Sequence, residues 1–144
     1  MKTEGQFNAY LSKEIKRYSP RVHVIKVADK FTTGISDFII WCNGRSMGLE
    51  SKFIDDLPKR KSTKIFSHPF SGAQVTFLES LNLAGSFGFG IVAIESQKKF
   101  YVIDYDRIPP GGNFTLEEWE STGKIPWNYD QVEDFIQYYF GPLR

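Results

Sequence analysis

A chain of 144 residues, 41% hydrophobic and 24% charged, is long enough to bury one core and short for two ordinary domains, so a single domain over 1–144 is expected. Its one cysteine, Cys42, excludes an internal disulfide and a cysteine-rich metal site. No stretch reaches the roughly 20 apolar residues of a membrane span, and MKTEGQFNAY lacks the apolar middle of a secretory signal, so a cytoplasmic protein with no membrane partner is expected. The net charge of +1 hides an asymmetry: residues 1–64 carry 13 Lys and Arg against 7 Asp and Glu, whereas 65–144 carry 5 against 10. A basic first half suits nucleic-acid phosphates, and equally an ordinary solvated surface.

From Thr3 to Tyr18 the apolar residues Phe7, Leu11, Ile15 and Tyr18 recur at helical spacing, and Ser19-Pro20 supplies a stop. Thr3 with Gln6 fits a capping box, the Thr hydroxyl taking the N3 amide and the Gln side chain returning to the cap. Glu4 falls in the middle of the apolar arc. A carboxylate in a first turn has two readings, stabilisation by the helix dipole or a part in a site. Val22 to Val27 reads as a strand by its β-branched content, and Asp29 to Gly34 as a turn.

Asn43-Gly44 between two apolar runs is a strong hairpin signal, because a type I′ turn needs positive φ at both central residues. With these as the loop, Cys42 faces Arg45, Ile40 faces Met47, Phe38 faces Leu49, and Asp37 faces Glu50. Period 2 then sets Asp37, Glu50 and Lys52 on one face and Phe38, Ile40, Met47, Leu49 and Phe53 on the other. Opposed like charges are unfavourable. A divalent metal between them compensates, since Mg²⁺ takes one or two carboxylates and keeps several waters, and Lys52 on the same face can hold water or neutralise phosphate charge. A surface salt-bridge cluster is the alternative, and a bulge at Gly48 would break the register.

Gly34-x-x-Asp37 followed by Glu50-Ser51-Lys52 resembles the signature of PD-(D/E)XK nucleases, with Ser36 in place of the Pro. The arrangement is similar to Holliday junction resolvases of the RecU type and to VRR-NUC domains, in which a helix carrying a Glu precedes the hairpin and a Gln-led helix follows it. Glu4 and Gln74 stand at those outlying positions, and the resemblance spans about residues 2 to 104. It implies an α/β fold with a restriction-endonuclease-like core, a central mixed β-sheet flanked by helices. It further implies a metal-dependent endodeoxyribonuclease using Mg²⁺, or Mn²⁺ in its place, acting as a homodimer on branched DNA. In this reading Asp37 and Glu50 bind metal with the Ser51 backbone carbonyl, Glu4 helps through metal or water, Lys52 activates water, and Gln74 supports them. Ser71 with Gln74 also makes a capping box, and both roles are compatible. Other nucleases of the superfamily, of restriction, repair or nicking type, fit the same motif, and a non-catalytic DNA-binding module on the same fold is the reading from a different class.

Between the E-x-K strand and that helix, Lys59, Arg60, Lys61 and Lys64 make a basic loop that, with Lys30, is a candidate for phosphate contacts without sequence readout; a solvated loop is the bland alternative. His68 is a possible phosphate neighbour or structural, and His23 reads as structural. Ser71 to Ala84 should be a helix, and Gly88–Ser96 and Phe100–Tyr105 an antiparallel hairpin joined at Gln97-Lys98-Lys99. Thr115 to Glu118 is a further capping-box start. Beyond the core, taken as about 2–105, the tail of about 106–144 carries Trp119, Trp127 and an amphipathic helix from Asp130 to Phe140. Its Val132, Phe135, Ile136, Tyr139 and Phe140 either seal the core or form a dimer interface.

Overall fold

The computed structural model describes residues 1–27 and 37–143. The expected Gly34, Ser36 and Lys30 lie outside the described residues. Chain order is α1 (Glu4–Lys16), β1 (Val22–Lys26), β2 (Phe38–Cys42), β3 (Arg45–Ile54), α2 (Gly72–Leu83), β4 (Phe87–Ile94), β5 (Lys99–Asp104), α3 (Leu116–Ser121), β6 (Ile125–Asn128) and α4 (Val132–Phe140). The strands form one mixed sheet in the order β1-β2-β3-β4-β5-β6, antiparallel throughout except for the β3–β4 pair. That pair is parallel because α2 carries the chain back across the sheet before β4 begins.

The β2–β3 hairpin has the register that a two-residue loop dictates, Phe38 with Leu49, Ile40 with Met47 and Cys42 with Arg45. Asn43 and Gly44 both take positive φ, at 52° and 76°. Gly48 sits in the ladder opposite Ile39 with no bulge. Side-chain alternation follows from this register and divides the interior into two layers.

On one face α1 and α4 cover Phe38, Ile40, Met47, Leu49, Ile91, Phe100 and Val102 with Phe7, Leu11, Ile15, Phe135 and Ile136. Each such fully buried side chain contributes on the order of 1.5–3 kcal/mol. The tail helix therefore seals the core, which decides between the two roles open to it. On the other face α2, α3 and the segment 65–70 cover Val92, Ile94 and Ile103 with Leu78, Phe70, Phe66, Phe114 and Trp119. Helix α2 lies so close to β4 that a Cβ on Gly88 would stand 2.3 Å from the Leu78 carbonyl oxygen.

Two local expectations change. At α1 the Thr3 hydroxyl accepts from the Gln6 amide at 3.1 Å, but the Gln6 side chain returns to the amide of Lys2 at 2.7 Å, so the box is shifted by one residue. Residues 125–128, read only as part of a packed tail, form the edge strand β6. Pro126 stands opposite Tyr101 there, and an edge is where a strand tolerates a residue that donates no amide hydrogen. His23, read as structural, is an exposed residue of β1 whose ring lies 5.5 Å from that of Trp41. Among the described residues no helix is long and apolar enough to cross a membrane.

Candidate active site

Four elements converge where the hairpin meets the first turn of α2. Asp37 immediately precedes β2, held by its carbonyl oxygen accepting from the Val27 amide at 2.8 Å. Its carboxylate Oδ2 accepts from the Ser51 amide at 2.8 Å. The Ser51 hydroxyl lies 3.0 Å from the same oxygen and 2.5 Å from Asn8 Oδ1, so its one proton is shared between them. Sequence reasoning missed Asn8. The available signal was a polar residue one turn after Glu4 beside the apolar arc of α1, and Asn8 is indeed buried, 6% exposed.

Glu50 lies within β3 and is 3% exposed. Gln74 Nε2 donates to Glu50 Oε1 at 2.6 Å. The same Gln74 side chain accepts from the Ser71 amide through Oε1 at 2.8 Å, while the Ser71 hydroxyl accepts from the Gln74 amide at 3.1 Å. Helix cap and site contact thus hold together, through opposite ends of one amide. Glu50 Oε2 is buried with no hydrogen-bond partner among the described residues.

Burial is the largest reason that the Glu50 carboxyl is pushed up to about 9, and the negative charge of neighbouring Asp37 adds to it, while Lys52 opposes. At neutral pH without a cation, the Glu50 carboxyl therefore keeps its proton. Lys52 is half-buried, and its ammonium lies 5.3 Å from the centroid of the Phe70 ring. Glu4 is exposed by surface area, yet it leans over a concavity crowded with protein atoms. Its carboxyl is raised chiefly by desolvation, an effect offset by the charge of Lys52, reinforced by Asp37 and offset again by His68. Glu4 therefore stands within electrostatic reach of Asp37 and Lys52.

Among the described residues no three His, Cys, Asp or Glu side chains gather tightly enough to enclose a metal by themselves. Two carboxylates, a backbone carbonyl and water form an oxygen set that suits Mg²⁺, which binds through few protein ligands, and the orphaned Glu50 Oε2 is the position such an ion would satisfy. The residues present fit that ion.

The basic loop is less free than expected. Lys61 donates to both carboxylate oxygens of Glu120 at 2.6 and 2.5 Å, and Lys64 lies 3.9 Å from Glu118. Backbone bonds from Leu116 to Thr63 and from Glu117 to Lys61 dock the loop on the start of α3. Lys59 and Arg60 are exposed and form no ion pair among the described residues. A cleft of about 730 Å³ opens beside the site, lined by Glu4 and Lys52 together with Lys2, Lys64 and His68.

No protein-family model matches the chain, and no curated protein matches it. Among solved structures, the chain is similar to that of Archaeoglobus fulgidus Hjc, a Holliday junction resolvase from an archaeal hyperthermophile, with a TM-score of 0.54 over 91% of this chain and 92% of that one at 15% identity. A match of that extent passes beyond residue 105 into the tail. The mixed six-stranded sheet flanked by helices is thus an α/β fold of the kind that this resolvase has, and Asp37, Glu50 and Lys52 are gathered on it at one end of the β2–β3 hairpin.

Proposed function

We propose that the chain is a metal-dependent DNA endonuclease that hydrolyses phosphodiester bonds, and that its substrate is branched DNA of the Holliday junction type. One observation carries the catalytic part: Glu50 is buried beside Asp37 with an oxygen that none of the described residues satisfies. Leaving a buried acceptor unmade costs about 1–3 kcal/mol, and more when charged, so a domain without metal chemistry has no reason to keep that arrangement.

Asp37, Glu50 and the Ser51 carbonyl would hold the ion, Mg²⁺ or Mn²⁺, with Glu4 acting on it directly or through water. When bound, the ion neutralises phosphate charge and acidifies water at the site. Ser51 and Asn8 fix the Asp37 carboxylate, and Gln74 fixes Glu50. Lys52, steadied by the Phe70 ring, orients the attacking water and meets the negative charge that grows on the phosphate. Lys59, Arg60 and Lys64 contribute phosphate contacts that do not read sequence, and Lys61 does so once released from Glu120.

The junction substrate rests on the fold shared with the archaeal resolvase and on a homodimer that would present two sites to two strands. For the dimer, Ile25 and Trp41, 45% and 40% exposed, offer an apolar surface on the sheet face that carries Glu50. The test is cleavage of a labelled four-way junction beside linear duplex and single strand, with Mg²⁺, Mn²⁺ or EDTA. Paired nicks lost in EDTA and in Asp37→Asn and Lys52→Ala are expected. Metal-dependent cutting of every substrate removes the junction preference, and absence of cutting with any metal removes the nuclease.

A further inference from the structure

We propose that the cleft beside Glu4 is the track for one DNA strand on leaving the carboxylates, with Lys2 and His68 of its lining holding a phosphate; the inference rests on the nuclease reading and locates its substrate. The cleft is continuous with the site, because Glu4 and Lys52 line both. Its volume of about 730 Å³ lies in the range of small-ligand pockets, which fits a short stretch of a single strand.

One wall is the start of α1, where the positive end of the helix dipole opens on the cleft and Lys2 is exposed. Its backbone is pinned by the bond from its amide to Gln6 Oε1, so the side chain is carried at a fixed point. The segment from Lys64 to His68 lines the same cleft. Ile65 and Phe66 are buried, and Asn113 clamps the latter through both of its backbone groups, at 3.1 and 2.8 Å. The Ile65 amide donates to Phe114 at 2.8 Å, and Phe70 to Gly112 at 3.0 Å. Four bonds from one short stretch of the tail therefore hold His68 and Lys64 exposed at the rim of a rigid loop. The charge of His68 is felt at Glu4, so the imidazole lies close to the reacting end.

Asp55 and Asp56, just past the end of β3, also line the cleft. Asp56 is engaged within the chain, accepting from the Leu57 amide and the Ser96 hydroxyl, both at 2.8 Å. These carboxylates repel phosphate, so the strand leaves the cleft before reaching them, which limits the track to the few contacts next to the cut.

Binding of a labelled junction in EDTA, with KCl varied between about 50 and 200 mM, tests this. Lys2→Ala is expected to lower the slope of log affinity against log salt by about one, since each neutralised phosphate contributes roughly 0.9, with a roughly fivefold loss of affinity. His68→Ala should lose a similar factor and His68→Gln, which retains a donor, should recover most of it. A second arm uses cleavage in Mg²⁺ with one neutral methylphosphonate placed one or two positions from the cut. The modification should slow wild type and leave the Lys2→Ala/His68→Ala double variant no slower than it already is. Both residues are exposed, so the variants should fold. Unchanged affinity and slope in variants of a wild type that binds and cuts DNA overturn the cleft and leave the nuclease standing. A wild type that neither binds nor cuts DNA overturns both.

Discussion

Replacing Glu50 by Gln should abolish cleavage and, in metal-free protein, raise stability. In the fold the Glu50 carboxyl is pushed from 4.5 to about 9, so the native state holds a proton that the unfolded chain releases. A raised acid contributes its full stability below pH 4.5 and loses it progressively as pH climbs towards 9. At about 1.36 kcal/mol per unit, metal-free wild type should lose about 3 kcal/mol between pH 5 and pH 7. Glu95 is held down at about 2, first by Lys98, and that contribution fades only as pH falls below 4.5, outside this window. Glu50→Gln removes the titration. Its amide offers a donor in place of the orphaned Oε2, towards Asp37, and the bond from Gln74 survives. The variant should melt roughly 10 °C higher than wild type at pH 7 in EDTA, the two should converge near pH 5, and saturating Mg²⁺ should narrow the gap by stabilising wild type alone. Urea melts across pH 5 to 8, with and without Mg²⁺, provide the assay. A metal-free wild type whose stability is flat or rising over that range refutes the reasoning about the paired carboxyls, whatever the activity shows.

Gln74→Ala removes both a cap bond and the partner of Glu50, and should cost about 1–2 kcal/mol in chemical denaturation and lower kcat with little change in DNA affinity. Gln74→Glu keeps the bond to Ser71 but sets a further carboxylate against Glu50. Its cap should hold while its activity falls, and retained activity would reduce Gln74 to a helix cap. Glu118→Gln with Glu120→Gln releases Lys64 and Lys61 and should tighten duplex binding about threefold at low salt, an effect that fades as salt rises; unchanged anisotropy titrations would count against a DNA-facing loop. Gly88→Ala forces a methyl to 2.3 Å from a backbone oxygen of α2 and should destabilise by at least about 3 kcal/mol in a thermal melt.

The hairpin was legible because a two-residue turn fixes every pairing outside it, so Asn43-Gly44 alone set the pairs from Cys42 with Arg45 to Phe38 with Leu49, next to which Asp37 and Glu50 follow. Gln74 was legible as a capping residue from its spacing to Ser71, and as a site residue from the resemblance. What no local pattern carried is the contact between distant segments. Lys61 meets Glu120 and Lys64 meets Glu118 across more than fifty residues, which turned a basic loop that looked solvated into a docked one. The lining of the cleft joins Lys2 and His68, still further apart in sequence. Strand β6 was hidden because Pro126 interrupts a run of four residues, and a proline is tolerated only where the sheet has an edge. That Glu50 Oε2 is left over is a property of packing in three dimensions, and no spacing rule expresses it.

The amide of Gln74 ties two events that are separate in most enzymes. Its oxygen closes the first turn of α2, and by doing so it commits its nitrogen to point at Glu50. A chain in which that turn has not formed therefore lacks an oriented Glu50 as well, so under the nuclease reading proposed above a partly unfolded copy would have no competent site. Order at the helix start and order at the carboxylate are one event, written into three bonds between Ser71, Gln74 and Glu50.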